Sequence, residues 1–451
     1  MKKKHVLVFL VFQLLIFFNY SCNEIDFLSL NSHFSKKNLL FLLLAKNKTA
    51  VQNPVSYPAA TSDKAFVFGV WLQGPENMLN GKTIAQNYKD IGINTFIDLW
   101  NWPSEKDMYP GYAIESMQAL KDSGMNVYAG NDAAAVNWIK AHPEFWDIFK
   151  GYVLGDEPDM NRNSGIQSQA DANTPLAWKA LGDSLLALDN TREVYANFGK
   201  PFAKDAWYTT DYGQTGSQES DFELYVTPTS VISSDFYGIT DPWENPENHG
   251  IWTYGRAVRN TRKYANYGRM RPVWGFVEAS APWTNASNTN WMFQRMPPSY
   301  IMPIAWNMVI NGAKGILYFC HDFSPNSLGS YAALLEPGMP AAIKAANESI
   351  RNYEAVLTSP DISGTTVSTD GPVNVITLTK RYEGDTFIFA MGDGNPSYRN
   401  GLAVNAQITI AGEAGIKNVS VLNDNRVISM NDGKINDHFE PYELHIYKID
   451  N

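Results

Sequence analysis

Two short stretches of the sequence concentrate acids that could do chemistry. Residues 151–159 pass from an apolar run into Gly155-Asp156-Glu157-Pro158-Asp159, three carboxyls within four positions and a proline that stops a strand. Residues 272–278 are apolar until they end on a single carboxylate, Glu278. Two such carboxyls facing one pocket suit cleavage of the bond between two sugars. One protonates the leaving oxygen; the other attacks the anomeric carbon or activates water.

Further polar and aromatic residues close other apolar runs. Asp235 is the best spare carboxylate, and His321, Asp322, Gln73, Asn131 and Asn197 carry donors and acceptors suited to sugar hydroxyls. Trp71, Trp100, Trp102 and Trp283 stand at or beside run ends, where a flat ring can stack on a pyranose face. Trp71 and Trp274 read equally as core, and Trp138, Trp178 and Trp306 as packing on helices. The seven histidines and two cysteines form no His-x-x-x-His or Cys-x-x-Cys pair, so neither metal nor cofactor is expected. A metal-assisted hydrolase would have to draw on Asp156, Glu157, Asp159 and His321. No Gly-x-Ser-x-Gly elbow follows a strand-like run, and Gly69 and Gly74 do not make a nucleotide fingerprint.

The elements that must position these residues follow one rhythm. Strand-like runs are expected at 66–72, 95–100, 126–129, 151–154, 193–198, 231–236, 272–277 and 315–319. Helical segments separate most of them, at 83–91, 114–123 and from 133, and Thr174-Pro175 forms an N-cap and N1 pair opening a helix to about 188. Eight apolar strands of this kind are buried on both faces and favour a closed α/β barrel, a (β/α)8 TIM barrel over residues 63–358. Beyond about residue 360 the pattern alternates, at 373–378, 386–390, 407–410, 419–422, 427–429 and 442–447. Residues 359–451 therefore read as a small C-terminal antiparallel β-sandwich. All 13 tryptophans lie between Trp71 and Trp306, which places the chemistry in the barrel.

The first 22 residues read as an export leader. Lys2, Lys3 and Lys4 precede a short apolar run, and Ser21-Cys22 is similar to a bacterial lipobox with Cys22 as the lipidated residue. Residues 23–62 read as a tether. The expected location is the bacterial cell envelope, facing away from the cytoplasm, with a plain secretory leader as the alternative. Cys320 is the only other cysteine, so a lipidated Cys22 leaves no disulfide. The formal charge of −10 becomes about −13 once the leader is removed, which argues against a nucleic-acid partner.

Residues 66–323 resemble the clan A glycoside hydrolases, retaining (β/α) barrels with an acid/base glutamate after strand four and a nucleophilic glutamate after strand seven. The segment Gly155–Asp159 and the early strand Ile93-Asn94-Thr95-Phe96 are also similar to a group of bacterial glycosidases. The resemblance implies Glu157 as acid/base, Glu278 as nucleophile and Tyr237 as the strand-six tyrosine bonding the nucleophile. It favours β-linked oligo- or polysaccharide substrates. The clan's asparagine before the acid/base is replaced by Asp156, which accepts a hydroxyl proton but cannot donate, and whose charge raises the pKa of Glu157. The rival expectation is a non-catalytic surface glycan-binding lipoprotein that keeps the aromatic platforms without needing the carboxylates.

Overall fold

The alternation of buried runs and helices closes into a ring. The computed structural model describes residues 65–99, 111–160, 173–204, 219–283, 292–325 and 327–450. Cys22, the leader, the 23–62 tether, Trp100 and Trp102 lie outside the described residues. The barrel strands are β1 (Val67–Gln73), β2 (Thr95–Leu99), β3 (Asn126–Tyr128), β4 (Phe149–Asp156), β5 (Glu193–Phe198), β6 (Val231–Ser234), β7 (Val273–Glu278) and β8 (Gly315–Phe319). Each pairs in parallel with the next, and β1 pairs with both β2 and β8, which closes the barrel.

One principal helix follows each strand: α1 (Ile84–Asp90), α2 (Gly111–Ser123), α3 (Ala133–Ala141), α4 (Pro175–Leu188), α5 (Phe222–Val226), α6 (Trp252–Ala265), α7 (Ile301–Ile310) and α8 (Met339–Arg351). Local sequence sets their starts. Thr83 and Gln86 form a reciprocal capping box on α1, and the Thr174 hydroxyl accepts the Ala177 N–H ahead of Pro175 on α4.

Aromatic side chains fill the ring interior. Trp274 has no exposed surface; it stacks on Tyr195 at 5.1 Å and meets Tyr128 edge-on at 5.4 Å. Trp71 packs against Phe276 at 5.7 Å and Tyr195 at 6.3 Å. Burying each such ring stabilises the barrel by roughly 1.5–3 kcal/mol. Trp71 is therefore barrel core rather than a sugar platform.

The C-terminal sheet comprises β9 (Thr365–Thr369), β10 (Val375–Tyr382), β11 (Asp385–Gly392), β12 (Val404–Ile410), β13 (Ile416–Val421), β14 (Arg426–Asn431), β15 (Lys434–Phe439) and β16 (Leu444–Ile449). All neighbours are antiparallel, in the order β9-β12-β15-β14-β13-β16-β11-β10. The sheet curls until its two ends nearly meet: the Thr365 and Thr379 hydroxyls are 2.8 Å apart, and the Ile362 N–H donates to the Thr379 carbonyl. Val375, Ile388, Ile408, Val421, Ile435 and Tyr447 fill the inside of this sandwich-like closure. Its outer face docks on the barrel, where Phe389 of β11 stacks on Trp306 of α7 at 5.5 Å. Buried Asn307 accepts from the Gly255 N–H and donates to Asp393, tying α6 and α7 to the sandwich.

Candidate active site

The C-terminal ends of the barrel strands carry the backbone irregularities. Leu72 in β1, Asp98 in β2 and Glu157 just past β4 have φ of +50°, +59° and +44°, a region that costs non-glycine residues about 1–3 kcal/mol each. At Glu157 this turn leaves the backbone N–H donating to the Asn197 carbonyl of β5. The side chain then runs past Gly199, and a Cβ on that residue would stand 3.1 Å from Glu157 Oε1. The Gly199 N–H donates to buried Asp159, fixing the rest of the acidic turn.

Carboxyls from four strands gather here. The Tyr237 hydroxyl, just past β6, is held protonated by burial and by the charges of Asp235, Glu278, Glu157 and Asp156 together. Asp156 is exposed, Glu157 and Asp235 are half-buried, and Glu278 has no exposed surface. Glu157 and Asp235 hydrogen-bond one another. Desolvation and then the Asp235 charge hold Glu157 well above the ordinary carboxyl range, against the pull of Lys200. Asp235 rises to about 7 through desolvation and the charge of Asp156. Desolvation of its carboxyl by the surrounding acidic turn, and then the Glu157 charge, raise Asp156 to about 8, although the rest of the residue is exposed. Burial raises Asp98 to about 6 and Asp159 to about 8.

Glu278 is bound from behind. The Tyr254 hydroxyl of α6 lies 2.7 Å from both of its oxygens, and the Thr240 N–H and hydroxyl donate to Oε1 at 3.2 and 3.0 Å. Burial raises its pKa to about 7, and these donors restrain the rise. The resemblance implied that Tyr237 bonds this carboxylate. In the structure Tyr254 does so, and the Tyr237 hydroxyl has no hydrogen-bond partner among the described residues. Tyr237 instead packs against Trp283 and Phe319.

The remaining expected residues divide between mouth and scaffold. Trp283 is half-buried at the mouth, edge-on to Trp243 at 5.0 Å, and its ring N–H has no partner among the described residues. Asp235 Oδ1 is likewise buried without a partner. Unsatisfied buried groups of this kind are costly and point to a ligand or water. Asn131 is exposed beyond β3. Asn197 does not face the mouth freely: its amide donates to Asp156 at 2.8 Å while Ser233, bonded in turn to Tyr195, donates to its oxygen.

Gln73, His321 and Asp322 depart from a sugar-contacting role. Gln73 is fully buried, with its amide nitrogen 3.2 Å from His321 Nε2 and its oxygen accepting from Tyr88. Burial lowers His321 to about 4, leaving the ring neutral at neutral pH. Asp322 accepts from Arg295, the Ser324 N–H and the Leu328 N–H, and so braces its own loop. Among the described residues no set of three or more His, Cys, Asp or Glu is placed to hold a metal ion, and His321 sits on Gln73. The sequence reading missed Asp98, Thr240, Tyr254 and the half-buried Lys200, which pairs with Asp241 at 2.5 Å and Glu244 at 2.9 Å.

These pKa values have a consequence for stability. Asp98, Asp159, Asp235 and Glu278 titrate near 6–8 when folded, against about 4 unfolded. Between those limits the folded chain binds more protons. Their contribution is fully present below about pH 4 and is lost as pH rises through 6–8. The melting temperature should therefore be higher at pH 5 than at pH 8, with a smaller difference in Glu278→Gln and Asp159→Asn. A melting temperature that climbs from pH 5 to pH 8 would contradict this assignment.

No family model and no curated protein sequence matches the chain. Solved structures do. One described as a glycoside hydrolase aligns over 90% of this chain and 99% of its own, with 12% identity and a TM-score of 0.51. An α-amylase from Anoxybacillus aligns over 87% and 99%, with 11% identity and a TM-score of 0.50. At these identities the likeness is one of fold: the chain shares the barrel-plus-β-domain architecture of solved glycoside hydrolases.

Proposed function

We propose that the chain is a glycoside hydrolase that works by double displacement, with Glu157 as acid/base and Glu278 as nucleophile. The observation that carries this reading is that carboxyls from the exits of β4 and β7, Glu157 and Glu278, both act electrostatically on the buried Tyr237 hydroxyl, with Glu278 held by Tyr254 and Thr240. Desolvation and the neighbouring Asp235 raise the Glu157 pKa well above the ordinary carboxyl range, which favours the protonated form a proton donor needs. Glu278 receives donated hydrogen bonds that favour its charged form, the state a nucleophile needs. Asp156, fixed by Asn197, faces the open mouth, where it accepts from a sugar hydroxyl. The unpartnered Trp283 N–H adds a donor. Glu278 has no exposed surface, so sugar can reach it only after side chains around it move.

Exposure favours a second reading of one role. Asp235 is half-buried, bonded to Glu157 and has a free oxygen, so it competes with Glu278 as the second working carboxylate. A panel of aryl β- and α-glycosides tests the activity itself: release of the aryl alcohol from at least one is expected, and inertness toward all of them overturns the reading.

Two further outcomes follow. Tyr254→Phe removes a donor that stabilises charged Glu278, so the acidic limb of the pH–rate profile should move up by about one unit and kcat fall about tenfold. An unmoved limb would separate Tyr254 from the reacting carboxylate. The leader reading places the chain at the envelope, anchored through Cys22. Cys22→Ser should shift it from the membrane fraction to the soluble one, and unchanged fractionation counts against the anchor.

A further inference from the structure

A cavity of about 880 Å³ lies away from the acidic mouth, along the seam between barrel helices α7 and α8 and the sandwich. It is of ligand-pocket size. We propose that this seam is a second carbohydrate-binding site, holding a neutral oligosaccharide alongside the barrel; the ligand class rests on the proposed activity.

Its walls have the composition a sugar chain requires. Tyr353 is half-buried, and its ring is held edge-on by Trp306 at 6.3 Å and by Phe389 at 5.6 Å. Tyr300 is half-buried and held edge-on by Phe293 at 5.5 Å. Tyr442 stands on the sandwich side, its hydroxyl donating to the Arg399 carbonyl at 2.6 Å. Rings braced in this way present flat faces at little entropic cost on binding.

Polar groups stand at the rim. Asn352 and Asn400 are exposed, and their side-chain amides have no hydrogen-bond partner among the described residues; each offers two donors and an acceptor. Glu348 and Arg399 supply one charge of each sign, with the Arg399 guanidinium already donating to the Pro246 carbonyl. A rim that sums to no charge favours a neutral ligand over a phosphate or a uronate.

The test is calorimetric titration of the full chain carrying Glu157→Gln, so that bound sugar is not turned over, with cellohexaose, xylohexaose and maltohexaose. At least one should bind saturably, and Tyr353→Ala and Tyr300→Ala should each weaken it about tenfold. The paired rim change Asn352→Ala with Asn400→Ala, which touches no packing, should weaken it to a similar degree. In the otherwise unaltered chain these seam changes should leave hydrolysis of a small aryl glycoside unchanged. No saturable binding, or binding indifferent to the rim pair and to both tyrosines, overturns the seam site. Seam-dependent binding in a chain that cleaves no glycoside would sink the activity while leaving the seam site standing, and cleavage with seam-independent binding would do the reverse.

Discussion

Glu157→Gln should slow hydrolysis of glycosides with poor, alkyl-type leaving groups by about 10³-fold, while substrates with a dinitrophenolate leaving group lose far less in their first step. The split arises because a proton donor matters in proportion to the basicity of the departing oxygen. Glu157 suits that role because desolvation and the bonded Asp235 raise its pKa well above the ordinary carboxyl range. The amide keeps the shape of the side chain beside Gly199, so the barrel should remain folded. Steady-state rates on the two substrate classes, with the melting temperature as control, decide the matter. Equal losses on both would remove Glu157 from proton donation.

Glu278→Gln has the larger expected effect, a loss on the order of 10⁴ or more on both leaving-group classes, because no covalent intermediate can form. The amide retains an oxygen for the Thr240 and Tyr254 donors, so the lost rate reports chemistry rather than collapse. Asp235→Asn is the companion measurement. If Asp235→Asn silences both classes while Glu278→Gln stays active, the second carboxylate is Asp235, in keeping with its exposure and its contact with Glu157.

The barrel was readable because its signal is periodic. Gly315–Phe319 is a continuous apolar run and Glu193–Phe198 a mostly apolar, β-rich one, and the expected limits of both match the structure. Two sandwich strands escaped notice for the opposite reason. Thr365–Thr369 has one apolar residue, and Lys434–Phe439 carries three successive polar residues, Asn436, Asp437 and His438, between Ile435 and Phe439. In the site, Glu157 and Glu278 stood out because acids ended apolar strands. Tyr254 gave no such sign: it lies on a helix among other buried aromatics, and only the tertiary fold brings its hydroxyl to Glu278. Asp98 was hidden because it lies inside the apolar strand Thr95–Leu99 rather than at its end. Gln73 and His321 show the converse error. Polar residues at strand ends looked available, and the structure ties them to one another.

The near-meeting of β9 and β10 bears on how copies of this chain live beside one another. A sheet with open margins offers rows of unpaired amides on which a neighbour's strand can grow, and crowded chains polymerise along them. Here the Thr365–Thr379 contact, the Ile362 amide and the Asp361–Lys380 bridge occupy those margins. Among the described residues, this part of the sheet margin therefore offers less backbone for a neighbouring copy's strand to pair with.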